Sequence, residues 1–123
     1  MWYSLLDLKE VAPGALLAQV AVTDKSPWFS GHFPDNPILP GIAQLDMVAA
    51  VIARSRQKAL IIQRLNRVKF KKIVSPGELL EIHTARTPTA NLYSFRITSG
   101  PEDVCSGMMT LSEQQHHCTY TNE

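Results

Sequence analysis

Cysteine is scarce: Cys105 and Cys118 are the two in 123 residues, too few for a disulfide framework, and a reducing cytoplasm is the expected home. No long apolar run exists. The longest, Met47 to Ala53, is seven residues, against the roughly 20 needed to span a bilayer as a helix. The amino terminus lacks a basic start and carries Asp7 and Glu10 early, which argues against a secretory signal. There is no Gly-x-Gly-x-x-Gly and no phosphate-loop lysine motif, so neither a nicotinamide cofactor nor a nucleoside triphosphate is implied. Internal repeats, low-complexity tracts and inter-domain linkers are also missing. What is present, 45% hydrophobic and 19% charged residues, suits one globular domain with a single core. Residues 1–113 are expected to form it, with 114–123 a polar, frayed tail.

Net charge is +1, which gives no overall field to mark a nucleic-acid or membrane binder. The local distribution is uneven. Between Asp46 and Glu78 there is no acid, yet residues 47–77 hold eight of the twelve bases; the remainder has four bases and eleven acids, a net of −7. The basic stretch 54–72 reads either as a solvated helix end and strand face or as a docking surface for an acidic partner. Phe70 is its one interleaved aromatic, which does not suit nucleic acid.

Residues 15–23 are apolar and partly β-branched, bounded by Pro13-Gly14 and Asp24, and predict a strand. Pro27, Pro34, Pro37 and Pro40 then impose an irregular segment over 27–41. A helix can open at Pro40, where a missing N–H costs nothing. From Gly41 to about Arg56 the chain is helical and apolar nearly all round, so it is expected to be wrapped by other elements. Asp46 is its one acid, and a carboxylate inside a buried helix needs a partner or a task. Strands are predicted over 64–74, 79–87, 92–99 and 104–112, separated by Ser75-Pro76-Gly77, Pro88-Thr89-Ala90-Asn91 and Ser99-Gly100-Pro101, as an antiparallel meander. In 79–86, Leu80, Ile82 and Thr84 take one face and Glu81 and His83 the other. One helix with an antiparallel sheet is an α+β arrangement.

Taken alone, His32 in its proline-rich loop reads as a structural hydrogen-bonder, Asp46 as the partner of a nearby arginine, and Gly41 as steric relief beside Pro40. Trp28, Phe29 and Phe33 read either as core or as the lining of an acyl tunnel. The run from Gly31 to Gly41, Gly-His-Phe-Pro-Asp-Asn-Pro-Ile-Leu-Pro-Gly, followed by Leu45-Asp46, changes that balance. It resembles the active-site segment of the 3-hydroxyacyl-acyl-carrier-protein dehydratases. A second stretch, Val68 to Glu78, resembles the strand and turn that follow the helix in that family, and the likeness covers roughly residues 3–112. The Pro-Gly-x-x-Gln-Leu-Asp run of Pro40–Asp46 is most similar to short standalone members of fatty-acid and aryl-polyene-type pathways.

The resemblance implies a hotdog fold, an antiparallel β-sheet wrapped around one long central helix. It implies dehydration of 3-hydroxyacyl thioesters to trans-2-enoyl thioesters, with no metal and no organic cofactor. His32 would be the base, Asp46 the acid, and the Gly41 amide the binder of the thioester carbonyl. The Ile38 carbonyl would orient the histidine, and Phe29, Phe33, Ile38 and Pro40 would line the substrate site. Its partners would be acyl carrier protein bearing a 3-hydroxyacyl phosphopantetheine and a second copy of the chain, with active sites at the homodimer interface and room for higher association. Neither nucleic acid nor a membrane span is implied. Ala50 stands where the family tends to have Gln, four residues after the acid.

The chemistry suits these groups. A neutral imidazole, with a pKa of about 6.5, can take the proton beside the carbonyl. A carboxylic acid in apolar surroundings stays protonated and can donate to the departing hydroxyl. An amide in a helix's first turn has no internal acceptor and meets developing negative charge. Two other readings compete: a hotdog thioesterase in which Asp46 directs water, and a non-catalytic acyl-binding module. The remaining candidates are weaker. His116-His117-Cys118 cannot converge like spaced metal ligands. His83 beside Glu81 reads as a solvated strand face, and Cys105 in its apolar strand reads as inert.

Overall fold

The computed structural model describes residues 2–23 and 38–114. His32, Phe29, Phe33 and Trp28 lie outside the described residues, as does the His116–Cys118 cluster with nearly all of the expected tail. The elements are β1 (Tyr3–Ala12), β2 (Ala15–Val22), α1 (Gly41–Arg56), β3 (Leu60–Phe70), β4 (Leu79–Arg86), β5 (Leu92–Ser99) and β6 (Glu102–Glu113). The strands form one six-stranded antiparallel sheet in the order β1-β2-β4-β5-β6-β3. The α+β expectation holds.

Helix α1 begins where Pro40 fixes extended backbone, φ −61° and ψ 152°, at the N-cap. It ends at Gln57, whose left-handed φ of 55° turns the chain while its N–H and that of Lys58 close onto the Arg54 and Ala53 carbonyls. Met47, Val48, Val51 and Ile52 face the sheet and are almost fully buried against Val20, Leu80, Ile82, Ile97, Met109 and Leu111. Each such side chain contributes about 1.5–3 kcal/mol of burial, so the helix–sheet contact is the main source of stability. The predicted alternation in β4 is observed: Leu80, Ile82 and Thr84 point inward.

Four expectations are corrected. The first strand, β1, is absent from the sequence reading. Its ladder with β2 slips between Leu5 and Asp7 and again between Glu10 and Ala12, which breaks the period-2 signal. Strand β3 starts at Leu60 and stops at Phe70, rather than spanning 64–74, because the N–H groups of Lys71 and Lys72 both turn onto the Val104 carbonyl. The meander comprises β4-β5-β6 alone: β3 pairs with β6 at the far edge, and β2 takes the place beside β4. The helix is not wrapped on all sides either. Ile42, Asp46 and Ala50, spaced four apart, form an exposed stripe, with Ile42 64% exposed.

Strand β3 also carries a bulge. Its register with β6 slips between Asn66 and Lys69, and Arg67 takes a left-handed φ of 55°. Gly107 is required opposite, since a Cβ there would lie 3.0 Å from the Val68 Cα.

Candidate functional site

The helix N-terminus is left chemically open. Among the described residues no side chain caps it, and its first turn holds no acid. The Pro40 carbonyl accepts from the N–H groups of Ala43 (3.1 Å) and Gln44 (3.3 Å), while the amides of Gly41 and Ile42 have no partner among the described residues. Two free donors at the positive end of a helix of 16 residues suit a developing oxyanion. The approach is fixed from behind. Leu39, 3% exposed, donates its N–H to the Val74 carbonyl at 2.9 Å, tying the chain before the helix to the turn after β3.

That turn is held by one side chain. The Glu78 carboxylate accepts from the Ser75 N–H (2.6 Å), the Lys72 ammonium (2.9 Å) and the Ser99 hydroxyl (2.9 Å). Burial alone would raise the Glu78 pKa, but these three donors outweigh it and hold the carboxyl below its ordinary value. The same contact raises Lys72. Lys72 is therefore committed inside the fold and is not a free docking charge.

Gly41 is more than relief beside Pro40. A Cβ at this position would lie 2.6 Å from Cζ and 2.8 Å from Cε1 of Phe70, whose ring rests on the helix start and is 52% exposed. Phe70 was legible only as a lone aromatic in a basic stretch; its position over Gly41 depends on the β3 edge lying next to the helix. Gln44 is the second residue that sequence reasoning missed. It is 3% exposed, its Nε2 donates to the Leu39 carbonyl at 3.4 Å, and its Oε1 is buried without a partner among the described residues. The available signal was an amide between apolar Ala43 and Leu45.

Asp46 corrects the expectation of a buried acid. In the single chain its carboxylate is on the exposed stripe of α1, beside a groove of ≈ 420 Å³ lined with Ala49, Ala50, Leu60, Ile61 and Ile62. Gly41 and Asp46 thus share the N-terminal half of the helix. Ile38 and Pro40 lead into it, both half-buried. His32, Phe29 and Phe33 lie outside the described residues. Cys105 is fully buried and its thiol is pushed up to about 11 by that burial, which removes it as a nucleophile. His83 lies 3.8 Å from Glu81 on the outer face of the sheet.

The comparisons with known proteins define the class. The family model described as ApeI-like, ApeI dehydratase, matches residues 9–108, and the chain belongs to that family. A 3-hydroxyacyl-[acyl-carrier-protein] dehydratase FabZ of Rickettsia bellii is 34% identical over 86 residues, covering 63% of this chain and 59% of the relative. A FabZ of Caldicellulosiruptor bescii is 39% identical over 70 residues, covering 51% of this chain and 50% of that protein. The chain therefore spans a little over half the length of these curated relatives. Among solved structures, a chain of the dehydratase heterocomplex ApeI:P from Xenorhabdus doucetiae matches with a TM-score of 0.81 and 25% identity, over 92% of this chain and 100% of that one. The sheet curled on one helix is the hotdog fold.

Proposed function

We propose that this protein dehydrates 3-hydroxyacyl thioesters presented by acyl carrier protein, giving trans-2-enoyl thioesters for acyl-chain synthesis. The observation that carries the reading is the pair of amides at Gly41 and Ile42, unpartnered among the described residues, one helical turn from an accessible carboxylate at Asp46. The thioester oxygen is held by the Gly41 N–H. His32 takes the C2 proton, negative charge develops on that oxygen, and Asp46 donates a proton to the C3 hydroxyl as it leaves as water. Stabilising that oxygen is worth about 3–4 kcal/mol at comparable donors.

A second copy of the chain completes the site in this reading. Asp46 needs apolar cover to stay protonated. Its own surroundings include Ile42 on the helix and Ile61 on the sheet-edge strand β3, exposed apolar groups that another protomer can bury. His32 of one chain then meets Asp46 of the other.

The carrier docks, in the same reading, on the outer face of β3, β6 and β5. Arg67, Lys69, Lys71 and Arg96 line an open groove of ≈ 500 Å³ there. Asp103 pairs with Lys71 (3.7 Å) and Arg96 (3.6 Å), while Arg67 and Lys69 have no ion-pair partner among the described residues. Lys69 and Lys71 flank Phe70 in sequence but alternate with it in direction, and the Phe70 ring lies on Gly41, so in this reading a phosphopantetheine arm passes round the β3 edge from the basic groove to the helix N-terminus.

The test supplies a 3-hydroxyacyl thioester and follows enoyl absorbance and free thiol in parallel. Enoyl product without thiol release is expected. Thiol release would identify a thioesterase, and neither signal a binding module; both would overturn the proposal.

A further inference from the structure

At the other end of α1, about 22 Å from Gly41 by helical rise, a cavity of ≈ 400 Å³ opens between the last helical turn and strands β2, β4 and β5. Its lining includes Ser55, Arg56, Thr84, Arg86 and Tyr93, and a second cavity of ≈ 220 Å³ shares Arg56, Arg86 and Tyr93 with it. Almost all of its polar groups are donors. Arg56 Nη1 donates to the Tyr93 hydroxyl at 2.7 Å. Tyr93 is 5% exposed, and its own hydroxyl proton has no acceptor among the described residues. Thr84 is 4% exposed, and its hydroxyl likewise has no partner there. Neither guanidinium has a carboxylate within ion-pair distance among the described residues.

The placement is built rather than incidental. The aliphatic stem of Arg86 packs against the β1–β2 turn, 3.3 Å from where a Gly14 Cβ would stand, and its N–H bonds the Gly14 carbonyl at 2.9 Å. Glu10, the one carboxylate in the lining, is engaged by the Gly14 N–H at 3.0 Å. Arg56, with Arg54, offsets the negative end of the helix dipole. Arg86 thus lines the cavity without an ion-pair partner among the described residues, beside the hydroxyls of Tyr93 and Thr84, for which no acceptor is found among those residues.

We infer that this cavity binds a phosphate group, as a site separate from the proposed thioester chemistry. Two guanidiniums present flat pairs of donors that match phosphate oxygens, and Tyr93 and Thr84 supply neutral donors from the floor. The cavity exceeds a bare phosphate, which leaves room for an organic substituent, while Glu10 at the rim disfavours a polyphosphate.

The test is calorimetric titration of the full chain with inorganic phosphate and with glycerol 3-phosphate, at ionic strength held constant with chloride, and with succinate as a carboxylate control. Saturable binding of a phosphate probe is expected, about tenfold or more weaker in Arg86→Gln and in Tyr93→Phe. Arg86 is exposed and Tyr93→Phe keeps the ring, and thermal melts verify that both variants fold. Tighter binding of glycerol 3-phosphate than of inorganic phosphate identifies a phosphomonoester as the occupant; the reverse identifies the free ion. The inference is overturned if neither phosphate saturates, if succinate binds as tightly, or if both variants bind like the parent.

Discussion

Replacing Gly41 by Ala separates the chemical role of this position from its structural one. The new methyl would stand 2.6 Å from the Phe70 Cζ, so the ring must retreat by about 0.8 Å to reach ordinary contact. It is free to do so, being 52% exposed. A half-buried phenylalanine that swings into water loses about 1 kcal/mol, roughly half of what full burial is worth. Alanine in place of glycine in a helix returns about 0.5–1 kcal/mol. The two effects nearly cancel, and the expected change in melting temperature is within about 4 °C. Activity should behave differently. Alanine keeps the N–H, but in the proposed reading its methyl and the displaced Phe70 ring crowd the thioester's approach to it, and a donor put out of reach costs about 10²–10³ in kcat at comparable sites. Thermal unfolding and steady-state kcat/KM on a small 3-hydroxyacyl thioester check both halves. A folded Gly41→Ala protein with near-parental turnover would refute the close approach to this amide that glycine is proposed to allow. The double variant with Phe70→Ala closes the remaining escape: if activity returned when the ring is removed, displacement of Phe70 rather than loss of the amide would be the cause.

Three further outcomes are expected. Arg67→Glu with Lys69→Glu should weaken turnover of carrier-bound substrate much more than turnover of a small mimic, and the gap should shrink as salt rises; equal losses on both substrates sink the docking reading. Glu78→Gln should lower the melting temperature at neutral pH, because the Glu78 carboxyl is held below its unfolded value. The stability it contributes is present above the unfolded pKa, about 4.3, and is lost as pH falls through the lower folded value, so parent and variant melts should converge in acid; a constant difference across that range would contradict the assignment. Mixing His32→Ala chains with Asp46→Asn chains should restore roughly a quarter of parental activity, since about half the dimers are mixed and each of these has one intact site. Recovery of nothing from demonstrably mixed dimers would refute the shared site.

The elements that were legible in the sequence are those whose patterns one chain satisfies by itself. Pro40 marked the helix start, and the alternation Leu80-Ile82-Thr84 marked a half-buried strand; both depend on contacts made within the described fold. Strand β1 was hidden because its two bulges shift the apolar positions from one phase to the other. The start of β3 was hidden because its edge position exposes most of its residues, so burial imposes no clean period. Phe70 over Gly41 and the Gln44 amide under Leu39 were hidden for a different reason. Each is a tertiary juxtaposition, and only the placement of β3 beyond β6 brings the first of them about.

Asp46 is the most instructive of these residues. An apolar helix predicts burial on every side, yet one stripe of α1 faces outward with the acid at its centre. A helix serving only its own sheet would carry polar residues there, as the exposed faces of amphipathic helices do. Ile42 and Ala50 instead flank Asp46, and the neighbouring edge strand adds Ile61, 47% exposed. Left in water, that apolar surface is a liability for association. Covered by a second protomer, the same surface accounts for the helix composition, satisfies the free edge of β3, and places Asp46 in the apolar setting that a proton donor to a leaving hydroxyl requires. The mixed-dimer experiment therefore tests more than the division of labour between His32 and Asp46. It tests whether the apolar stripe and the acid within it have a single explanation.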